Sequence, residues 1–201
     1  MRQRQPRSDA RANLQLLLDA AFEVFSEHGS QAALDLVAER AGVSRATLYR
    51  NFADRNALMR ALLSRMVDQL QARAEELRSL GPDALAGFMS HWAETVVRTT
   101  PLVDFWRTLD RGDSTLVQAQ QRLRAMLAPL LEQARQAGRC RPDLSVDDLV
   151  LVGGMFGAAR RGRGRAEQLA LGRRAWELIA GGLGMDCGLA AAGPPGESAG
   201  P

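Results

Sequence analysis

The sequence predicts an all-α fold, and three observations predict it. The composition is poor in strand formers: 201 residues contain one Ile (Ile179) and one Tyr (Tyr49), and Phe, Trp and Tyr together make up 5%. Ala, Leu, Arg and Gln dominate instead, a palette that favours helix over strand. The apolar residues recur at spacings of three and four, and no alternating run of useful length competes with them.

A first helix spans about residues 10–28, with Leu14, Leu17, Leu18, Ala21, Val24 and Phe25 on one face. Gly29 ends it, with His28 in the last turn, where a partly cationic ring suits the helix dipole. Two short helices over 34–52 come next, Ser44 capping the second, and Asp54 caps the helix after them. Gly81-Pro82-Asp83 starts a helix carrying Phe88, Trp92 and Val96, and Pro101 interrupts the stretch beyond it. Gly112-Asp113-Ser114 opens another, with Leu123, Leu127, Leu130, Leu131 and Ala134 in register. Ser145 and Asp148 have capping-box spacing, with Asp in place of the usual Glu, at the start of a helix of about 145–160. Gly162-Arg163-Gly164 separates it from a last helix of about 166–184. Residues 186–201, rich in Gly, Pro, Ala and Ser, are expected to be a disordered tail, and residues 1–9 a flexible basic arm.

Several function classes are excluded early. No run of 18 apolar residues occurs, and the polar, basic start leads into no signal-peptide core, so a cytoplasmic chain is expected. Cys140 and Cys187 share no metal-ligand spacing with each other or with His28 and His91, which argues against a disulfide scaffold or a zinc module. Two histidines leave almost no material for a nucleophilic triad, and no phosphate-cradling glycine loop is present. Asp143, Asp147 and Asp148 cluster around a helix start, where capping explains them better than a metal does. Neither enzymatic activity nor a cofactor nor a metal is expected.

The charges do point somewhere. The chain has 26 basic residues, all Arg, against 23 acids, for a net charge of +3 that names no partner by itself. Between residues 40 and 60, however, Arg40, Arg45, Arg50, Arg55 and Arg60 face one acid, Asp54, a local +4. Under that charge lies a helix-turn-helix register: small Ala38 where two helices cross, Gly42 at the tight turn, Val43 and Leu48 for the buried contacts, and Ser44 as cap. A +4 surface on such a motif points to DNA rather than to a merely solvated face.

Residues 14–63 resemble the DNA-binding domain of the TetR family of bacterial transcriptional regulators. The resemblance is carried by Leu18-Asp-Ala-Ala-Phe-Glu-Val-Phe-Ser-Glu-His-Gly29, by Val37-Ala-Glu-Arg-Ala-Gly-Val-Ser-Arg-Ala-Thr-Leu-Tyr-Arg-Asn-Phe52, and by Asp54-Arg-Asn-Ala-Leu58. It implies an N-terminal three-helix DNA-binding domain over 10–55 and a larger helical effector-binding and dimerisation domain over 56–185. The implied DNA contacts are Ser44, Arg45, Ala46, Thr47, Tyr49, Arg50, Asn51 and Arg55. Tyr49 also has a reading as a half-buried packing residue. Two departures stand out: Arg55 replaces a usual Lys, and Ala32-Ala33 replaces the Ser or Thr that commonly caps the second helix, leaving that cap to Ser30 or to none. With no lysine, every phosphate contact falls to Arg, Tyr, Ser, Thr or backbone. The N-terminal arm either enters an adjacent minor groove or stays free.

For the rest of the chain the resemblance implies a small-molecule pocket among the middle helices, with Phe88, Trp92, Phe105, Trp106, Leu109 and Met126 as its candidate lining. By sequence alone such stripes are more often plain core than ligand pocket. The last two helices are the implied dimer interface, with Val152, Phe156, Trp176, Ile179 and Leu183 as contacts; intramolecular packing uses the same residues. Gly153-Gly154 is expected to admit a partner backbone. The expected function is a homodimeric repressor that binds a palindromic operator and is released by a small-molecule effector, nucleoid-associated when bound. The competing reading is a helical small-molecule-binding protein or enzyme with a vestigial DNA-binding head.

Overall fold

A computed structural model describes residues 6–157 and 164–185, and all regular structure among them is helical. The basic arm before residue 6, the Arg-rich link 158–163 and the tail from 186 lie outside the described residues. In order the elements are α1 (Pro6–His28), α2 (Leu34–Arg40), α3 (Arg45–Asn51), α4 (Arg55–Leu77), a 3-10 turn (Arg78–Asp83), α5 (Ala84–Arg98), α6 (Thr100–Thr108), α7 (Ser114–Gln136), α8 (Val146–Met155) and α9 (Arg165–Gly182). No described helix is long and apolar enough to cross a membrane.

The first helix starts at Pro6, four residues before the expected position, so the arm is shorter than 1–9. Proline suits an opening turn because its fixed φ is helical and its missing N–H has no partner there in any case. Pro101 likewise lies in the first turn of α6, where it starts a helix after the break at Thr99. The cap residues work as their chemistry dictates. Asp54 Oδ1 accepts the Ala57 N–H at 2.7 Å, and Asp113 accepts from Thr115 and Leu116. Ser145 and Asp148 form a reciprocal capping box.

Two apolar cores share the molecule. The head core gathers Leu17, Ala21, Val24 and Phe25 of α1, Val37 and Ala38 of α2, Leu48 of α3 and Phe52. It does not stop at residue 55, where the sequence places the boundary: Leu58, Met59, Leu62, Leu63 and Met66 of α4 complete it. The lower half of the same helix, from Val67 to Leu77, belongs to the body core with α5, α7, α8 and α9. A boundary at the start of α4 misses this because one helix serves both cores. Between them lies α6: Leu102 is buried in the head core, Val103 packs on the body, and Trp106 touches both.

Polar links reinforce the junction. Arg60 of α4 reaches the α7 cap, its Nη2 2.9 Å from Asp113 Oδ2. That guanidinium, together with the Thr115 and Leu116 N–H groups, outweighs desolvation and holds the Asp113 carboxyl below its ordinary range. A depressed carboxylate pKa contributes stability above the unfolded value, about 4, and loses it as pH falls through the folded value. Arg40 acts in the same sense on Glu27. The denaturation midpoint should therefore stay flat from pH 7 to 5 and drop below about pH 4. Asp113→Asn, which can still cap but carries no charge, should make that acid limb shallower in urea titrations; an unaltered limb would refute the assignment.

Candidate functional site

The helix-turn-helix is built locally. Gly42 adopts φ +66°, which a side chain would strain, and its N–H bonds Glu39 O while the Val43 N–H bonds Ala38 O. This is a Schellman stop that satisfies the last carbonyls of α2 and turns the chain. Ser44 then starts α3, its Oγ accepting the Thr47 N–H at 3.2 Å and lying 2.9 Å from Thr47 Oγ1. Leu48 anchors the helix from below at 1% exposure. The opposite face, with Arg45, Ala46, Tyr49 and Arg50, is open to solvent.

The +4 of the window is largely answered within the protein. Arg40 bonds Glu23 at 3.1 Å and Glu27 at 2.9 Å on α1, so it clamps α2 to α1. Arg45 pairs with Asp35 at 2.5 Å, an exposed pair of the sort that contributes little and exchanges readily. Arg55 donates to the Ser30 carbonyl at 2.8 Å and lies over the Phe25 ring, 5.7 Å from its centroid. Arg60 faces Asp113. Arg50 alone among these five has no acidic or carbonyl partner among the described residues. Tyr49, 52% exposed, stands beside it and does not take the packing role. Asn51 turns its amide back to Thr47 O at 2.8 Å, and α2 has no side-chain cap, Ala33 occupying that position.

The body contains a cavity of about 480 Å³ between α4, α5, α6, α7 and α8. Its walls are Met66, Trp92, Val96, Leu102, Val103, Trp106, Leu123, Val150, Leu151 and Met155, with Gly153, Gly154, Gln120 and Arg107. Of the six residues expected to line a pocket, Trp92 and Trp106 do. Phe88 and Met126 are buried in the solid core, while Phe105 and Leu109 turn toward the head. A helical stripe cannot reveal which of its members faces a gap, so the resemblance carries no sign that these four lie away from this cavity. It also gives no sign of the wall that α8 contributes, from Val150 to Met155. His91 takes no part in the lining; burial, then Arg73, push its pKa below the ordinary value.

Three of the five dimer contacts read from sequence are enclosed within one chain. Val152, Phe156 and Trp176 are 7%, 0% and 2% exposed within one chain, and Ile179 and Leu183 pack against the same core. Phe156 sits edge-on between Trp92 (6.5 Å, 79°) and Trp176 (6.2 Å, 80°), tying α8 to α5 and α9. Gly153 admits no partner backbone: a Cβ there would lie 2.2 Å from the Trp92 ring, so the glycine makes room for that ring. The apolar groups that α8 and α9 leave in solvent are Leu151, Met155, Leu171 and Leu178.

An exposed, capped recognition helix over a compact head, joined by a shared helix to a hollow helical body, defines a ligand-responsive class of DNA-binding regulator. Residues 17–62 match the bacterial regulatory proteins of the TetR family, and residues 81–185, more than half of the chain, match the C-terminal domain of SbtR-like transcriptional regulators. The chain belongs to the TetR family of transcriptional regulators. It resembles the TetR transcriptional regulator SCO0520 from Streptomyces coelicolor (29% identity, 85% of this chain and 97% of that one, TM-score 0.66). A TetR regulator from Mycobacterium vanbaalenii is similarly close (27%, 89% and 99%, TM-score 0.66). The transcriptional activator FasR of Mycolicibacterium smegmatis is 46% identical over 68 residues, 33% of this chain and only 30% of FasR.

Proposed function

We propose that the protein is a cytoplasmic homodimer that reads a palindromic operator with α3 and releases it when a small molecule fills the body cavity, so acting as a repressor. The observation that carries the reading is Arg50: exposed and without an ion-pair partner among the described residues, while Arg40, Arg55 and Arg60 around its helix are engaged within the protein. Such a guanidinium on a recognition helix is suited to a guanine edge or a phosphate. Tyr49 and the exchangeable Arg45 flank it. FasR is described as an activator, but it shares only 68 residues with this chain, so its direction of control stays with that protein.

Dimerisation is supported by Leu151 and Met155 on α8 and by Leu171 and Leu178 on α9, apolar side chains left in water that a second copy would cover. Release is supported by the position of the cavity. Met66 and Leu102 belong to the head core and also form part of the cavity wall, so a ligand there touches the head directly.

Gel shifts with the DNA flanking the protein's own gene test the proposal. Arg50→Ala should weaken specific binding by about 1–3 kcal/mol, roughly 5- to 150-fold, without moving the thermal midpoint. Equal binding by the two proteins would remove α3 as the reader.

A further inference from the structure

We propose that the cavity takes an amphipathic anion, a carboxylate or similar acid on an aliphatic or aromatic body, with Arg107 as the acid's partner. This rests on the effector-binding reading above and adds the chemical class of the ligand. The walls are almost wholly apolar, and Trp92 and Trp106 provide broad flat surfaces suited to hydrocarbon. Arg107 is the one charged side chain among the described lining, and Gln120 the one neutral polar side chain. Arg107 is exposed and has no carboxylate partner among the described residues, so its charge is unanswered at the rim of an apolar hollow. A guanidinium so placed presents its fork to an acid, while the rest of the ligand leaves water for the cavity.

The berth of this arginine is shaped in the backbone. A Cβ at Gly157 would lie 3.0 Å from Arg107 Nη2 and 3.4 Å from Val103 Cγ1, so the missing side chain lets the guanidinium settle against the end of α8. Gly153, four residues earlier, gives the Trp92 ring its place by the same means. Two glycines at helical spacing thus seat the flat wall and the charged rim of one site. A cationic ligand would meet Arg107 with like charge, and a neutral one would leave it without a partner.

Fluorescence titration of the full-length protein with decanoate, decan-1-ol and decylammonium tests this, since Trp92 and Trp106 both report on the cavity. Wild type should bind decanoate at least tenfold more tightly than the other two. Arg107→Gln should abolish that preference while keeping the affinity for decanol within about twofold. Equal affinity of wild type for all three, or a preference that survives in Arg107→Gln, overturns the anionic class but leaves the cavity as a binding site. Failure of all three to bind overturns the cavity reading beneath it.

Discussion

If the protein dimerises through α8 and α9 as proposed, Leu151→Glu combined with Leu178→Glu is expected to leave it monomeric and to lower operator affinity by about 100-fold or more. The two side chains are 66% and 63% exposed in the isolated chain, so neither supports its fold. Covering a leucine contributes roughly 1.5–3 kcal/mol on association, and forcing a carboxylate into the same contact reverses the sign. A monomer carries one recognition helix and loses the second half-site, whose centre lies about 34 Å away on the duplex. Sedimentation equilibrium and gel shifts on the same samples read both effects. The chain's own stability should change by no more than about 0.5 kcal/mol, because the sites are on the surface. A double variant that remains dimeric would show that the interface lies elsewhere.

Phe156→Ala should act in the opposite place. The ring is fully buried and meets the edges or faces of Trp92 and Trp176, so truncation opens a cavity where three helices converge. The expected cost is about 3–5 kcal/mol of folding stability, a large part of what a domain of this size possesses. Phe156→Leu should restore more than half of it by refilling volume without the edge-to-face contacts. Chemical denaturation at several protein concentrations separates this from an interface effect. A loss that appears only as a concentration-dependent midpoint would return Phe156 to the dimer contact that the family resemblance implies.

The parts of the molecule legible in the sequence are legible because they are local. Gly42, Ser44 and Leu48 fix the helix-turn-helix within a dozen residues, and Ser145 with Asp148 closes its box within four. The pairing of Arg40 with Glu23 and Glu27 is also within reach, since two acids four residues apart on α1 share one face, but a bare count of arginines treats every guanidinium as free. The body is another matter. In α8, Leu149, Val152 and Phe156 pack into the core while Leu151 and Met155 stand more than half exposed at the open side of the cavity, so the helix is apolar on two sides and its sequence names no inner face. Only the packing of α5 against it decides, and that contact spans some sixty residues of chain.

The helix shared by both cores has a mechanical meaning. At about 1.5 Å per residue, the 23 residues of α4 form a rod about 35 Å long, with Met66 near its midpoint. A ligand that tilts the rod by about 5° around that point displaces its upper end by roughly 1.5 Å, comparable to the helix shifts that switch known allosteric proteins. In a two-fold assembly both rods swing together, so the gap between reading heads changes by up to twice as much. Since the groove spacing of DNA is fixed, on the proposed reading the rod converts a small volume change in the body into an error of registry at the operator.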